Sequence, residues 1–266
     1  MTIATSSGIA ALLLYFAATL LVLRRLQRAR TGRSLPLVLV GFGAAAAHAL
    51  CLWDTSFFSS EGVNLGLFPM ASLVAGTGAA LVTAVGLFRR LEWVGAILFP
   101  LCALSIPPLL WFQGPSYALS PGLGFHVLLS ILASAVLGIA AMHSLLILLQ
   151  HRALKRGHIR GGVLRALPPI QVMESLLFQL LWAGLLFLSA AIVTGFVYVD
   201  DMFAQRVAHK TVLTLGAWLL FAMLVLGNRW LGWRALTAVR FTLAGFLVLV
   251  LGFFGTQLVL EFILRH

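Results

Sequence analysis

Charge is what this chain most lacks. Only 9% of its 266 residues are charged, where a soluble domain carries about 25%. Just 7 are acidic. Cysteine is as scarce: Cys51 and Cys102 stand in separate apolar runs, with no CxxC or CxxCH spacing. That excludes a disulfide scaffold and a thiol-redox motif and reads as two buried small apolar residues. There is no Walker loop, GxSxG, HExxH or EF-hand. No internal repeat is visible, so nothing argues for an inverted-repeat transporter. No short segments of alternating polarity appear, which excludes a β-barrel. What is abundant is apolar: 61% of residues, with a mean hydropathy of +1.06. Such a chain is neither a soluble enzyme nor disordered; it is an integral membrane protein.

A spanning helix needs about 20 apolar residues to cross about 30 Å of hydrocarbon. Eight segments qualify: Ile9–Leu23 with the uncharged residues before it, Leu35–Trp53, Leu65–Phe88, Trp93–Phe112, Gly122–Leu149, Ser175–Tyr198, His209–Gly227 and Phe241–Leu264. Backbone groups in lipid must bond within their own segment, so these runs are helices. The prediction is an all-α, polytopic bundle, a single eight-helix transmembrane domain over residues 1–266.

The formal charge of +11 then acquires a meaning. Fifteen of the 18 basic residues fall in alternate loops: Arg24, Arg25, Arg28, Arg30 and Arg33; Arg89 and Arg90; Arg152, Lys155, Arg156, Arg160 and Arg165; Arg229, Arg234 and Arg240. By the positive-inside rule those loops are cytoplasmic and both termini external, an N-out/C-out topology. Topology accounts for the charge without nucleic acid, although the 151–165 loop suits anionic lipid headgroups. Asp54, Glu61, Asp200, Asp201 and Glu261 fall on or near the external side. Arginines follow the first apolar run instead of preceding it, unlike a secretory signal. Trp53, Trp111, Tyr117 and Tyr198 at one interface, and Trp93, Trp230 and Trp233 at the other, form ordinary aromatic belts. Trp182 and Trp218, inside spans, need a packing partner or a ligand.

Ionisable groups inside a membrane are functional candidates by default. His151, His158 and His266 fall outside the spans, and His143 lies near the inner end of span five; these four read as solvated or interfacial. The other three histidines form a layer near the external face. His48 is about 8 Å inside span two and His126 about 6 Å inside span five, and His209 is in the first turn of span seven. Imidazole is a good iron ligand, and haem is often held by axial histidine; facing helices can enclose a flat macrocycle. Each could equally be a hydrogen-bonded packing residue. Zinc could use the same three imidazoles, with Asp54 the best available fourth ligand. Of the three basic residues that break the positive-inside pattern, Arg206, Lys210 and Arg265, two flank His209. They would suit the propionates of a haem, or simply snorkel. Ser130, four residues after His126, could orient it or bond back to its own helix. Small residues at Ala44–Ala47 and Gly76–Ala80 allow helices to approach closely. No acid–base pair or nucleophile–base set is legible, so a protein-only enzyme is not expected.

Several stretches resemble a known family. Ser120–Leu149, SPGLGFHVLLSILASAVLGIAAMHSLLILL, is similar to the histidine-bearing helix of the CcsA-like cytochrome c assembly proteins, closer to the shorter HemX and YpjD branch. AHAL around His48, NLGLFPMASLVAG at Asn64–Gly76, TGFVY at Thr194–Tyr198 and HKTVLTLGAW at His209–Trp218 extend the likeness over most of the chain. The resemblance implies a multi-pass protein of the bacterial inner membrane that binds haem, taken as haem b, near the outer face, with other cytochrome c maturation proteins as partners and no nucleic acid. By position, His126 matches the family's external histidine and His48 its early-helix histidine. The expected iron ligands are His126 and His209, with His48 an alternate ligand or gate and Lys210 and Arg206 pairing propionates. The WWD motif of full CcsA proteins is absent, Lys210 being its one clear remnant. Their late histidine in span seven is also missing; here the chain reads Leu226, Gly227, Asn228, Arg229. Thioether-forming synthetase activity is therefore not implied. HemX-like members are associated with tetrapyrrole regulation, so the alternative is a non-catalytic regulator acting through its basic cytoplasmic loop.

Overall fold

The computed structural model describes residues 3–28, 32, 34–59, 62–89, 91–112, 114, 116–156, 166–198, 208–234 and 236–255. Eight helices among them are long and apolar enough to cross a membrane. They are α1 (Ile3–Gln27), α2 (Leu35–Leu52), α3 (Leu67–Val85), α4 (Glu92–Trp111), α5 (Pro121–Lys155), α6 (Ile170–Tyr198), α7 (Ala208–Leu231) and α8 (Leu236–Val250). α2 and α8 each run on into a π-helical turn, Trp53–Phe57 and Leu251–Gly255. The chain divides into two compact units, residues 1–117 with 149–169, and residues 118–148 with 170–266.

In the first unit, α1 packs on α2 and α4, and α3 packs on the same two, so the four helices close into an antiparallel ring. Small side chains permit the close approach. A Cβ at Gly41 would lie 2.7 Å from Thr83 Oγ1, and one at Gly8 would lie 3.3 Å from Cys51 Sγ. At the arginine-rich end Arg25 clamps two elements. Its Nε donates to Glu92 Oε2 (2.8 Å) at the start of α4, and its Nη2 donates to the Gly32 carbonyl in the α1–α2 loop. Ser34 caps α2, and Pro36 falls in its first turn, where no amide hydrogen is needed. At the opposite end Asp54, on the π-helical turn, accepts the Ala4 N–H (2.6 Å) and caps α1. A carboxylate there also complements the positive end of the helix dipole. Three short antiparallel strands, β1 (Phe58–Ser59), β2 (Gly62–Asn64) and β3 (Ser116–Tyr117), form a small sheet at this end, with Val63 opposite both Phe58 and Tyr117. Loop composition alone gave no sign of this sheet.

In the second unit, α5 and α6 run antiparallel in one continuous register. A Cβ at Gly122 would collide with the Tyr198 ring, His126 meets Ala191, a Cβ at Gly184 would fall 2.5 Å from Leu137 Cδ2, and His143 meets Met173. α6 joins α7 where Trp218 Nε1 donates to Ser189 Oγ (2.8 Å); this is the packing partner Trp218 required. Trp182 instead points outward, 56% exposed, as an apolar ring facing lipid can. α7 and α8 are joined by a tight turn in which Gly232 takes a left-handed φ of +66°. Asn228 Nδ2 donates to the Trp233 carbonyl across that turn (2.8 Å). Gly245 lies against Phe221, and Gly252 against Leu213.

Candidate functional site

α5 begins where Ser120 accepts the Leu123 N–H (3.3 Å) and Pro121 takes the first helical position. His126 follows in the second turn, half-buried against α6. Its Nδ1 lies 2.8 Å from the Ala191 carbonyl oxygen and 3.4 Å from Thr194 Oγ1. A carbonyl can only accept, so Nδ1 carries the hydrogen and a neutral ring has its lone pair on Nε2. Among the described residues that Nε2 has no partner. Metal-bound histidines are usually held this way, the distal nitrogen donating to a carbonyl or carboxylate that fixes tautomer and ring angle. Thr194 braces the acceptor, its hydroxyl placed to donate to the Ala190 and Ala191 carbonyls (2.8 and 3.0 Å). Ser130 donates back to the His126 carbonyl (2.9 Å) and so does not touch the ring.

His209 lies in the first turn of α7, exposed and without a hydrogen bond among the described residues. Lys210 places Nζ 5.9 Å above the centre of the Phe253 ring, on the π-helical turn after α8. That is cation–π range. Arg206 lies outside the described residues.

His48 is placed quite differently. It belongs to the first unit, fully buried at the centre of the four-helix ring. Both ring nitrogens have partners, Nδ1 the Tyr15 hydroxyl (3.1 Å) and Nε2 the Ser72 hydroxyl (2.7 Å). The layer of three imidazoles expected from helix counting is thus divided between the units. No group of three or more His, Cys, Asp or Glu side chains able to hold a metal gathers among the described residues. Asp54, the expected fourth zinc ligand, caps α1. One further placement differs from expectation. His143, expected to be solvated or interfacial, is fully buried, and its Nε2 donates to the Met173 carbonyl (2.8 Å). The hydroxyls around His48 were legible only as ordinary polar residues in apolar runs; Tyr15 and Ser72 signal a site once a neighbouring helix is known.

The architecture is that of a polytopic helical membrane protein with imidazoles set into its bundles, and the chain belongs to the cytochrome c assembly protein family, whose model matches residues 10–264. Among individual proteins it is similar to the inner membrane protein YpjD of Escherichia coli (strain K12). The two are 28% identical over 228 residues, which cover 83% of this chain and 84% of YpjD. It is also 32% identical, over 149 residues, to an uncharacterized 28.8 kDa protein in the nifR3-like 5′ region of Azospirillum brasilense, 54% of this chain and 55% of that protein. No solved structure matches the chain. Eight spans and the relation to an inner membrane protein make this a multi-pass protein of the inner membrane.

Proposed function

We propose that this protein binds and hands on haem b near the outer face of the inner membrane, in the service of cytochrome c assembly. One observation carries the reading: His126 is oriented through Nδ1 by a backbone carbonyl, with Nε2 left to ligate. His209, exposed at the same end of its helix, would supply the second axial ligand, and Lys210 and Arg206 would pair the propionates. Bound haem would supply an iron centre capable of redox change and ligand exchange. The residues would hold its iron and neutralise its carboxylates. In this reading the arginine-rich ends face the cytoplasm and both termini lie outside.

Haem titration of the detergent-purified protein should produce a Soret band. His126→Ala and His209→Ala should each weaken uptake by at least about tenfold, the loss of one axial bond being worth more than about 1.4 kcal/mol. His151→Ala, outside the apolar span, should leave it unchanged. A wild-type protein that stays colourless would sink the proposal. One observation also favours a regulator that docks a cytosolic partner. α5 is 35 residues long, about 52 Å, and carries Arg152 and Lys155 as exposed groups in its last turn. Replacing both by Ala should then abolish the phenotype while sparing any haem spectrum.

A further inference from the structure

We infer that His48 is not a ligand but the centre of a one-way hydrogen-bond chain that locks α1, α2, α3 and α4 in register. The contacts are Tyr15 Oη to His48 Nδ1 (3.1 Å), His48 Nε2 to Ser72 Oγ (2.7 Å), Ser72 Oγ to Ser105 Oγ (3.2 Å), Ser105 Oγ to the Cys102 carbonyl (2.8 Å) and Cys102 Sγ to the Ala75 carbonyl (3.2 Å). Tyr15 belongs to α1, His48 to α2, Ser72 and Ala75 to α3, and Cys102 and Ser105 to α4.

The hydrogens can be assigned one by one. A neutral His, two serines, a tyrosine and a cysteine bring one polar hydrogen each, five for the five contacts above. Carbonyls only accept, so Ser105 gives its hydrogen to Cys102 O, and Cys102 gives its own to Ala75 O. The Ser72–Ser105 contact then takes the Ser72 hydrogen. In this assignment Ser72 has nothing left to donate to the imidazole, which puts the His48 hydrogen on Nε2. Nδ1 is bare and accepts from Tyr15. The Tyr15 hydroxyl also meets the Cys102 thiol, so the five hydrogens cover the five contacts above and leave that sixth contact without one of its own.

Two other roles fail against this inventory. Ser72, His48 and Tyr15 have the outline of a nucleophile–base–orienter set, but the nitrogen facing the serine already holds its proton and cannot take another as a neutral base. Nor can His48 ligate iron as placed. Its one lone pair is taken by Tyr15 and its other nitrogen is protonated, the reverse of His126. Gly76 makes room for the ring on α3, since a Cβ there would lie 3.1 Å from Nδ1. A buried network with every member satisfied strengthens cooperatively and specifies one packing of its helices. The early-helix histidine, which the family resemblance marks as a candidate ligand, is here a positioning residue.

The test uses the full chain in lipid bilayers with 15N-labelled histidine, the His48→Gln variant identifying the His48 signals. The expected spectrum shows a protonated Nε2 and a bare Nδ1, both unchanged when stoichiometric haem is added. A hydrogen on Nδ1, or an Nε2 signal displaced by haem, would overturn the inference. Thermal melting of Tyr15→Phe, Ser72→Ala and the double variant gives a second arm. A shared chain predicts that the double variant loses fewer degrees than the two singles combined; additive losses count against it. Neither arm needs haem to bind, so a protein that takes up no haem would defeat the haem proposal and still leave the lock decided.

Discussion

His126 and His48 differ in which nitrogen bears the hydrogen, and in the proposed reading that single atom separates their roles. At His126 the Ala191 carbonyl takes Nδ1–H and Nε2 is open; at His48 the Ser72 hydroxyl takes Nε2–H. An asparagine at 126 places its amide nitrogen about where Nδ1 stands, so it can keep the bond to Ala191 while removing Nε2. His126→Asn should therefore melt within about 1 kcal/mol of wild type, the worth of one retained hydrogen bond, and lose the Soret band. A variant that keeps haem would remove His126 from the ligand set. Helix counting placed both residues at similar depth, and this was as far as the sequence could be read, because depth is local to one helix. Tautomer depends on what a second helix presents, and neither Ala191 nor Ser72 is marked by its own neighbours in the chain. His143 shows the same limit from the other side: its place near a span end suggested water, and the Met173 carbonyl on α6 buries it.

Individual helices were nearly complete in the sequence, since a run of apolar residues long enough to cross lipid has no other backbone solution. Their ends were less legible. α6 starts at Ile170, five residues before the apolar run that begins at Ser175. Pro168 and Pro169 set the start, because a proline ring suits the turn before a helix and the polar side chains of its first turn need no lipid. α1 starts at Ile3, with its amide ends served by Asp54 from fifty residues away. Asp54→Ala should cost about 1 kcal/mol, read as a lower midpoint in denaturant-induced unfolding, with hydrogen exchange speeding up first at Ala4 and its neighbours. Asp54→Asn should recover part of the loss. Gly184→Val tests the α5–α6 seam. A Cβ there falls 2.5 Å from Leu137, so branching should cost roughly 1–3 kcal/mol by overpacking, while Trp182→Leu, on the outward face of the same helix, should be near neutral. At the arginine-rich end the Arg25 and Glu92 side chains are 16% and 18% exposed. Glu92→Gln should cost about 1 kcal/mol, the upper end for a partly solvated pair, and a salt-insensitive melting point for the wild type would argue that the pair contributes nothing.

Across the whole molecule the arginines act together. In sequence order each helix pair is joined by a basic loop, from Arg24–Arg28 to Arg229–Arg240, and the positive-inside rule would put these loops on one face of the membrane. If that face is cytoplasmic, alkaline phosphatase fused after His266 or after Asn64 should be active, and fusions after Arg90 or Arg165 inactive. The opposite pattern would invert the topology and move His126 and His209 to the cytoplasmic side, against haem delivery to the outer face. Composition determined much of this molecule unaided. A membrane bundle of eight helices follows from hydropathy, and the grouping of basic residues follows from loop order, because transfer into lipid depends on the residues of one segment alone. What only the tertiary structure decided was the division of the helices into two compact units, the small sheet beside Asn64, and the fate of each polar group within the apolar spans. In a medium without water a hydroxyl or imidazole must find its partner on another helix. The identity of that partner is a property of packing, and no single segment of sequence contains it.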